Sequence, residues 1–193
     1  MRLPYVDASD PHAFPDAESA AVVSRVRARR APRPLQPLDL TLLHAPAVAD
    51  GWNSFLGAVR TRTSLSDDVR EIAICRVAVI NEAWYEWAHH APLAQAGGVS
   101  EEGMKLLGVR ELGEGEEAGD ALSGKQWAVV RYTDAMTRDV AVKQEVFDAL
   151  KSHFSEKEIV EVTATVSGLF VSLDTTSIGI NGENLKYPEM GYG

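Results

Sequence analysis

Apolar residues recur along most of this chain at three- and four-residue steps, separated by short stretches rich in Pro, Gly and acidic residues. Between Asp39 and Arg62 the stripe is Leu42, Leu43, Val48, Trp52, Phe55, Leu56 and Val59, interrupted at Ala45-Pro46. That pattern predicts helix on both sides of the interruption. Ser66 followed by Asp67 and Asp68 predicts a helix start, because hydroxyl and carboxylates answer the unpaired amides of a first turn. This helix runs through Ile72, Ile74, Val77, Val79 and Ile80 to Ala83. A further one is predicted from Trp84 to Ala96, stopped by Gly97-Gly98. A short helix opens at Ser100 and closes at Gly108, and others cover 123–138 and 143–153. The last begins at Ser155 with Glu158 three residues on, a capping box in which each side chain satisfies the other's amide. It continues through Ile159, Val162, Val166, Leu169, Phe170 and Leu173. Val and Thr are frequent over 159–176, which keeps a buried strand open there, but the length favours a helix.

Ahead of these elements lie an extended lead-in, a short helix from Asp16 to Val26 and a linker stiffened by Pro32, Pro34 and Pro37. Its acids lie at the start and its arginines, Arg25, Arg27, Arg29 and Arg30, at the end, which complements the helix dipole. The arginines read as a solvated helix end rather than an anion site. Residues 111–120 lack periodicity and read as an acidic loop. Gly179-Ile180-Asn181-Gly182 reads as a turn before a peripheral tail. Strand-like alternation is nearly absent, so the fold class is all-α, organised as 1–37, 38–182 and 183–193.

Composition narrows the function. The 193 residues are 45% hydrophobic and 24% charged, which is enough to build a core. A net charge of -9 repels phosphate backbones and argues against nucleic acid as a partner. Cys75 is the lone cysteine and has no partner for an intramolecular disulfide, as expected in a reducing compartment. No charge-free run approaches the roughly 18 apolar residues that cross a bilayer. The N-terminus lacks the apolar stretch of a signal peptide. The expectation is a soluble, cytoplasmic protein without a membrane partner.

Candidate chemistry concentrates in Asn81-Glu82-Ala83-Trp84-Tyr85-Glu86-Trp87-Ala88-His89-His90. Four-residue steps place Glu82, Glu86 and His90 on one helical face, with Tyr85 and His89 on the neighbouring stripe. A carboxylate one turn from an imidazole can fix its tautomer and make an acid–base pair. A nearby phenol can donate to a developing oxyanion. Flanking tryptophans suggest apolar walls. The plain alternative is a surface helix with a Glu–His ion pair and two half-buried aromatics. Glu86-Trp87-Ala88-His89 matches one Glu-x-x-His element of di-metal bundles, but no second element exists; a mononuclear site from His89, His90 and a distant carboxylate is the lesser alternative to no metal, since adjacent histidines point apart on a helix. No Gly-x-Ser-x-Gly elbow or phosphate-binding glycine loop is present. Cys75, between Ile74 and Arg76 and near Ile72 and Val77, reads as an inert core residue.

The runs Leu42-Leu43-His44-Ala45-Pro46, Gly51-Trp52-Asn53, Leu56-Gly57-Ala58-Val59-Arg60, Arg70-Glu71-Ile72-Ala73-Ile74, Arg76-Val77-Ala78 and Tyr85-Glu86-Trp87 with His90 resemble the carboxymuconolactone decarboxylase family. That superfamily also contains the AhpD-like alkylhydroperoxidases. The resemblance covers about 38 to 180. It implies an AhpD-like bundle of seven to eight helices and a trimer or hexamer with active sites near subunit contacts. In the peroxidase branch a glutamate precedes Cys-x-x-Cys and a histidine. Glu71 and His90 match the glutamate and histidine, while Ala83 and Glu86 stand where the cysteines would be. A thiol relay needs an attacking thiolate and a resolving sulfur, so peroxidase activity is not expected.

What the resemblance leaves is a cofactor-free acid–base enzyme with Glu71, Tyr85, Glu86 and His90 as its catalytic set. His90 would act as the acid, oriented by Glu86 or Glu71, with Tyr85 donating to the enolate. Trp52, Arg60, Arg76, Trp84 and His89 are the expected substrate-binding residues. The substrate would be a small lactone or enol of aromatic or polyketide origin, and decarboxylation the leading reaction. Isomerisation, dehydration or cyclisation by the same groups, or a non-catalytic ligand-binding oligomer, are the alternatives. The last helix carries no Lys, Arg or His between Lys157 and Lys186, so a substrate carboxylate would rely on Arg76, Arg60 or His89. The lead-in and tail are similar to those of stand-alone fungal members, several of them associated with secondary metabolism.

Overall fold

A computed structural model of the chain describes residues 3–10, 12–113 and 115–174, with side chains through Leu169. Among the described residues there are nine helices and no strand. They are α1 (Ala17–Arg30), α2 (Pro37–Leu42), α3 (Pro46–Thr61), α4 (Asp67–Ile80), α5 (Trp84–Ala96), α6 (Glu101–Gly108), α7 (Gly124–Arg138), α8 (Gln144–Lys151) and α9 (Glu156–Asp174). The all-α expectation holds, and the β-branched run after Ile159 is helix. The turn expected at 179–182 and the tail lie outside the described residues. No helix among the described residues is long and apolar enough to cross a membrane.

The described residues fall into two compact units, one ending at Arg62 and one running from Thr63 to Leu173. In the first, α1 and α3 pack together around Val22, Val23, Val26, Leu43 and Ala49. Here α1 continues to Arg30, past the end expected at Val26, and its arginines are not a free cationic end. Arg25 pairs with Asp50 at 2.8 Å, Arg27 donates to the Ala8 carbonyl at 2.6 Å and Arg29 bonds Asn53. Arg30 grips the buried Asp39 with two bonds of 2.7 and 2.9 Å. Asp39 also accepts the Gln36 amide at the start of α2.

The second unit is built on α4, which is buried on every side from Glu71 to Ile80. A helix apolar all round belongs in the middle of a core, and α5, α6 and α7 pack against this one. α5 folds back along α4 through the short connection at 81–83. The hairpin closes where Gly97 meets the start of α4. A Cβ at Gly97 would fall 2.9 Å from the Asp68 amide nitrogen and 3.1 Å from the Asp67 carbonyl carbon, so only hydrogen fits. Folding back brings the early turns of α4 level with the later turns of α5. That places Glu71 beside His90.

Among the described residues, two other than glycine hold positive φ: Glu82 at 56° in the α4–α5 connection and Val140 at 59° after α7. Left-handed backbone is costly for a β-branched residue. Val140 is 85% exposed, so its side chain contributes little packing in return. Val140→Gly should therefore raise the unfolding free energy by about 1 kcal/mol, read as a higher urea midpoint at unchanged m-value.

Candidate active site

Burying α4 on all sides also buries two charged side chains, Glu71 and Arg76. A buried charge must be paired and hydrogen-bonded, and the two solve this differently. Arg76 is fully buried. Its Nε donates to Asp134 Oδ1 at 2.5 Å and Nη2 to Asp134 Oδ2 at 3.0 Å. Nη1 donates to the carbonyls of Leu107 (2.9 Å) and Val109 (2.5 Å), and Nη2 also to that of Arg110 (3.0 Å). A guanidinium has five N–H groups, and all are committed within the chain. This corrects the expectation that Arg76 binds substrate: it ties α4 to α7 and to the end of α6.

Glu71 has a different set of partners. Its Oε2 lies 2.6 Å from His90 Nδ1, and its Oε1 accepts Arg70 Nε at 3.2 Å. On the other side of the ring, His90 Nε2 faces Glu86 Oε2 at 3.5 Å. Glu71 and His90 are each 5% exposed and Glu86 8%. Where Glu71 is ionised it can only accept, so that Nδ1–H of His90 is the donor and the tautomer is fixed. Nε2 is then the nitrogen placed to exchange a proton, with Glu86 Oε2 3.5 Å away. Both carboxylates proposed to orient the imidazole are in place, one on each nitrogen. Away from bulk water, each of these interactions is stronger than it would be at the surface.

The remaining expected residues separate into those near the trio and those elsewhere. Tyr85 stacks on His89 with ring centroids 4.3 Å apart, and His89 Nδ1 lies 2.7 Å from the Tyr85 carbonyl oxygen. His89 is exposed, on the stripe beside that of Glu86 and His90. Trp84 is half-buried and packs against the core of its unit. Trp52 and Arg60 lie on α3, in the other unit. Glu82 does not share the Glu86–His90 face as expected, because it precedes α5 in the left-handed connection and pairs with Arg110. Cys75 is fully buried, and burial, helped by the charge of Glu71, pushes its thiol well above the ordinary range. Such a thiol is a poor nucleophile. A cavity of about 600 Å³ between α7 and α8, lined by Trp127, Arg131, Ala135, Arg138, Val146 and His153, includes none of the expected site residues.

Arg70 and Asp134 were not singled out from sequence. Arg70 could have been, since it follows Asp67 by three residues and abuts Glu71. Asp134 carries no such local signal, being 58 positions from its partner.

Comparison with known proteins agrees with this fold. A protein of unknown function from Agrobacterium tumefaciens, described as an antioxidant-defence protein of the AhpD type, superposes with a TM-score of 0.59 at 17% identity, covering 74% of this chain and 95% of its own. A Cys-to-Ala variant of the debrominase Bmp8 in complex with 2,3,4-tribromopyrrole gives a TM-score of 0.65 at 14% identity, covering 92% of this chain and 89% of its own. The apo form of that debrominase gives 0.62 at 13% identity, with 84% of each chain covered. No match is found among curated proteins. Residues 46–123, which include Glu71, Tyr85, Glu86 and His90, match the model of the carboxymuconolactone decarboxylase family, and the helical fold is similar to that of the AhpD-type structure.

Proposed function

We propose that this protein is a cofactor-free acid–base enzyme acting on a small lactone or enol, with His90 as the group that exchanges protons with substrate. The observation that carries this reading is a buried imidazole held at Nδ1 by Glu71 and faced at Nε2 by Glu86. In the leading reaction, decarboxylation, the bond to a carboxylate carbon breaks and its electron pair moves into the lactone carbonyl. Carbon dioxide leaves, and the proton shared by His90 and Glu86 is delivered to the carbanionic carbon. Tyr85, from the same helix, is the donor to the enolate oxygen in this scheme.

A second reading, isomerisation, dehydration or cyclisation by the same groups, is favoured by one observation. Both arginines of α4 are committed to carboxylates of the protein, Arg70 to Asp67 and Glu71, and Arg76 to Asp134. A substrate without a carboxylate suits such surroundings. The two readings separate in D2O with lactone acids labelled in the carboxyl carbon. Decarboxylation releases labelled CO2 and leaves one deuterium at the former carboxylate position. Proton-transfer chemistry exchanges deuterium into the carbon next to the carbonyl without release of label. Neither outcome across a panel of aromatic-derived lactones and enols would leave the chain a ligand binder.

The proposal extends to assembly. Val48 and Phe55 on α3 and Leu93 on α5 are large apolar side chains at least 41% exposed, positions that contacts in a cytoplasmic trimer or hexamer would cover.

A further inference from the structure

Glu71 has two oxygens, Oε2 toward His90 and Oε1 toward Arg70. Neighbouring residues on a helix point about 100° apart, so their side chains do not ordinarily meet. Arg70 nevertheless turns back over the first turn of α4. Its Nε reaches Glu71 Oε1 at 3.2 Å while its Nη2 is anchored on Asp67 Oδ1 at 2.5 Å. Asp67 is exposed, whereas the Arg70 side chain is only 14% exposed. The guanidinium is thus a rigid fork between a surface carboxylate and a buried one. With Oε1 held, the Glu71 carboxylate cannot rotate without losing a charge-assisted bond, and Oε2 stays directed at His90 Nδ1.

We infer that Arg70 is a positioning residue for His90, acting through Glu71, with Asp67 as its outer anchor. It sets the orientation and tautomer of the imidazole without touching substrate. Its positive charge also offsets one of the two carboxylates that flank the ring. This rests on the reading of His90 as the exchanging group, but it makes a claim of its own about the imidazole that can be read with no substrate present.

The test combines nitrogen-15 NMR of the histidine rings with steady-state kinetics in the intact protein. Arg70→Gln should make the His90 Nδ1 proton exchange with water about tenfold faster or more, the factor that corresponds to losing a charge-assisted hydrogen bond from the carboxylate that holds it. Arg70→Lys keeps the charge but not the fork, and Asp67→Asn weakens the anchor alone. Both should fall between wild type and Arg70→Gln. In turnover, Arg70→Gln should lower kcat about tenfold with KM changed less than twofold, a split that general loosening would not produce. An Arg70→Gln protein that melts like wild type and keeps the wild-type His90 spectrum and exchange rate overturns the inference. Should Arg70→Gln fail to fold, Asp67→Asn decides in its place, an unchanged His90 spectrum counting against the proposal and faster exchange for it. Failure of the enzymatic reading would look different: no turnover in wild type, with the His90 spectrum still responding to Arg70.

Discussion

Replacing His90 by asparagine should lower turnover by about two orders of magnitude or more, the range over which a positioned acid or base contributes. Asparagine is close to imidazole in size and can still donate toward Glu71, so packing around the site is largely kept. What it cannot do is carry a proton to and from substrate. Glu86→Gln removes the second home of that proton and should cost a similar factor. Glu71→Gln should act differently, because a side-chain amide can present N–H to Nδ1 and so permit the wrong tautomer. Its loss should fall on kcat with little change in KM. Pre-steady-state and steady-state rates on the substrate that emerges from the deuterium experiment are the measurement. A loss below tenfold for His90→Asn would remove the imidazole from the chemistry.

The second large effect concerns stability. Asp134→Ala should lower the unfolding free energy by about 3–5 kcal/mol, because it strands a fully buried guanidinium beside an empty site. The three carbonyls that Arg76 also holds, at Leu107, Val109 and Arg110, cannot replace a counter-charge. The paired variant Arg76→Met with Asp134→Leu should recover much of that loss, since the cost comes from the unpaired ion more than from the absent bridge. Urea unfolding followed by circular dichroism measures both. An Asp134→Ala protein within 1 kcal/mol of wild type would mean that Arg76 finds water or another partner, and that the core around α4 is looser than the packing described above.

How much of this was legible beforehand depended on the range over which each feature is determined. The start at Ser66 and the stop at Gly97 lie where the pattern places them, although the Ser66 side chain makes no cap hydrogen bond to the first turn. His90 with Glu86 follows from four-residue spacing on one helix. Glu71 is reached only through the family likeness, since nothing local says that α5 returns antiparallel to α4. Arg76 shows the limit. A buried arginine and a substrate-binding arginine look identical in a string of residues, and the difference is made by Asp134 and three carbonyls brought up by other helices. Glu82 failed for a smaller reason. Helical periodicity starts only at Trp84, after a residue that the connection holds in left-handed backbone.

Two carboxylates flank the buried imidazole of His90, with Glu71 holding Nδ1 and Glu86 facing Nε2, the nitrogen that trades protons. Long-range proton–nitrogen correlation spectra of the histidine rings, recorded without ligand, test this most directly. The account predicts that His90 carries its hydrogen on Nδ1, that this hydrogen exchanges slowly enough with water to be seen, and that it vanishes from the spectrum in Glu71→Ala. A His90 ring with its hydrogen on Nε2, or one whose Nδ1 hydrogen exchanges as fast as that of the exposed His89, would contradict it.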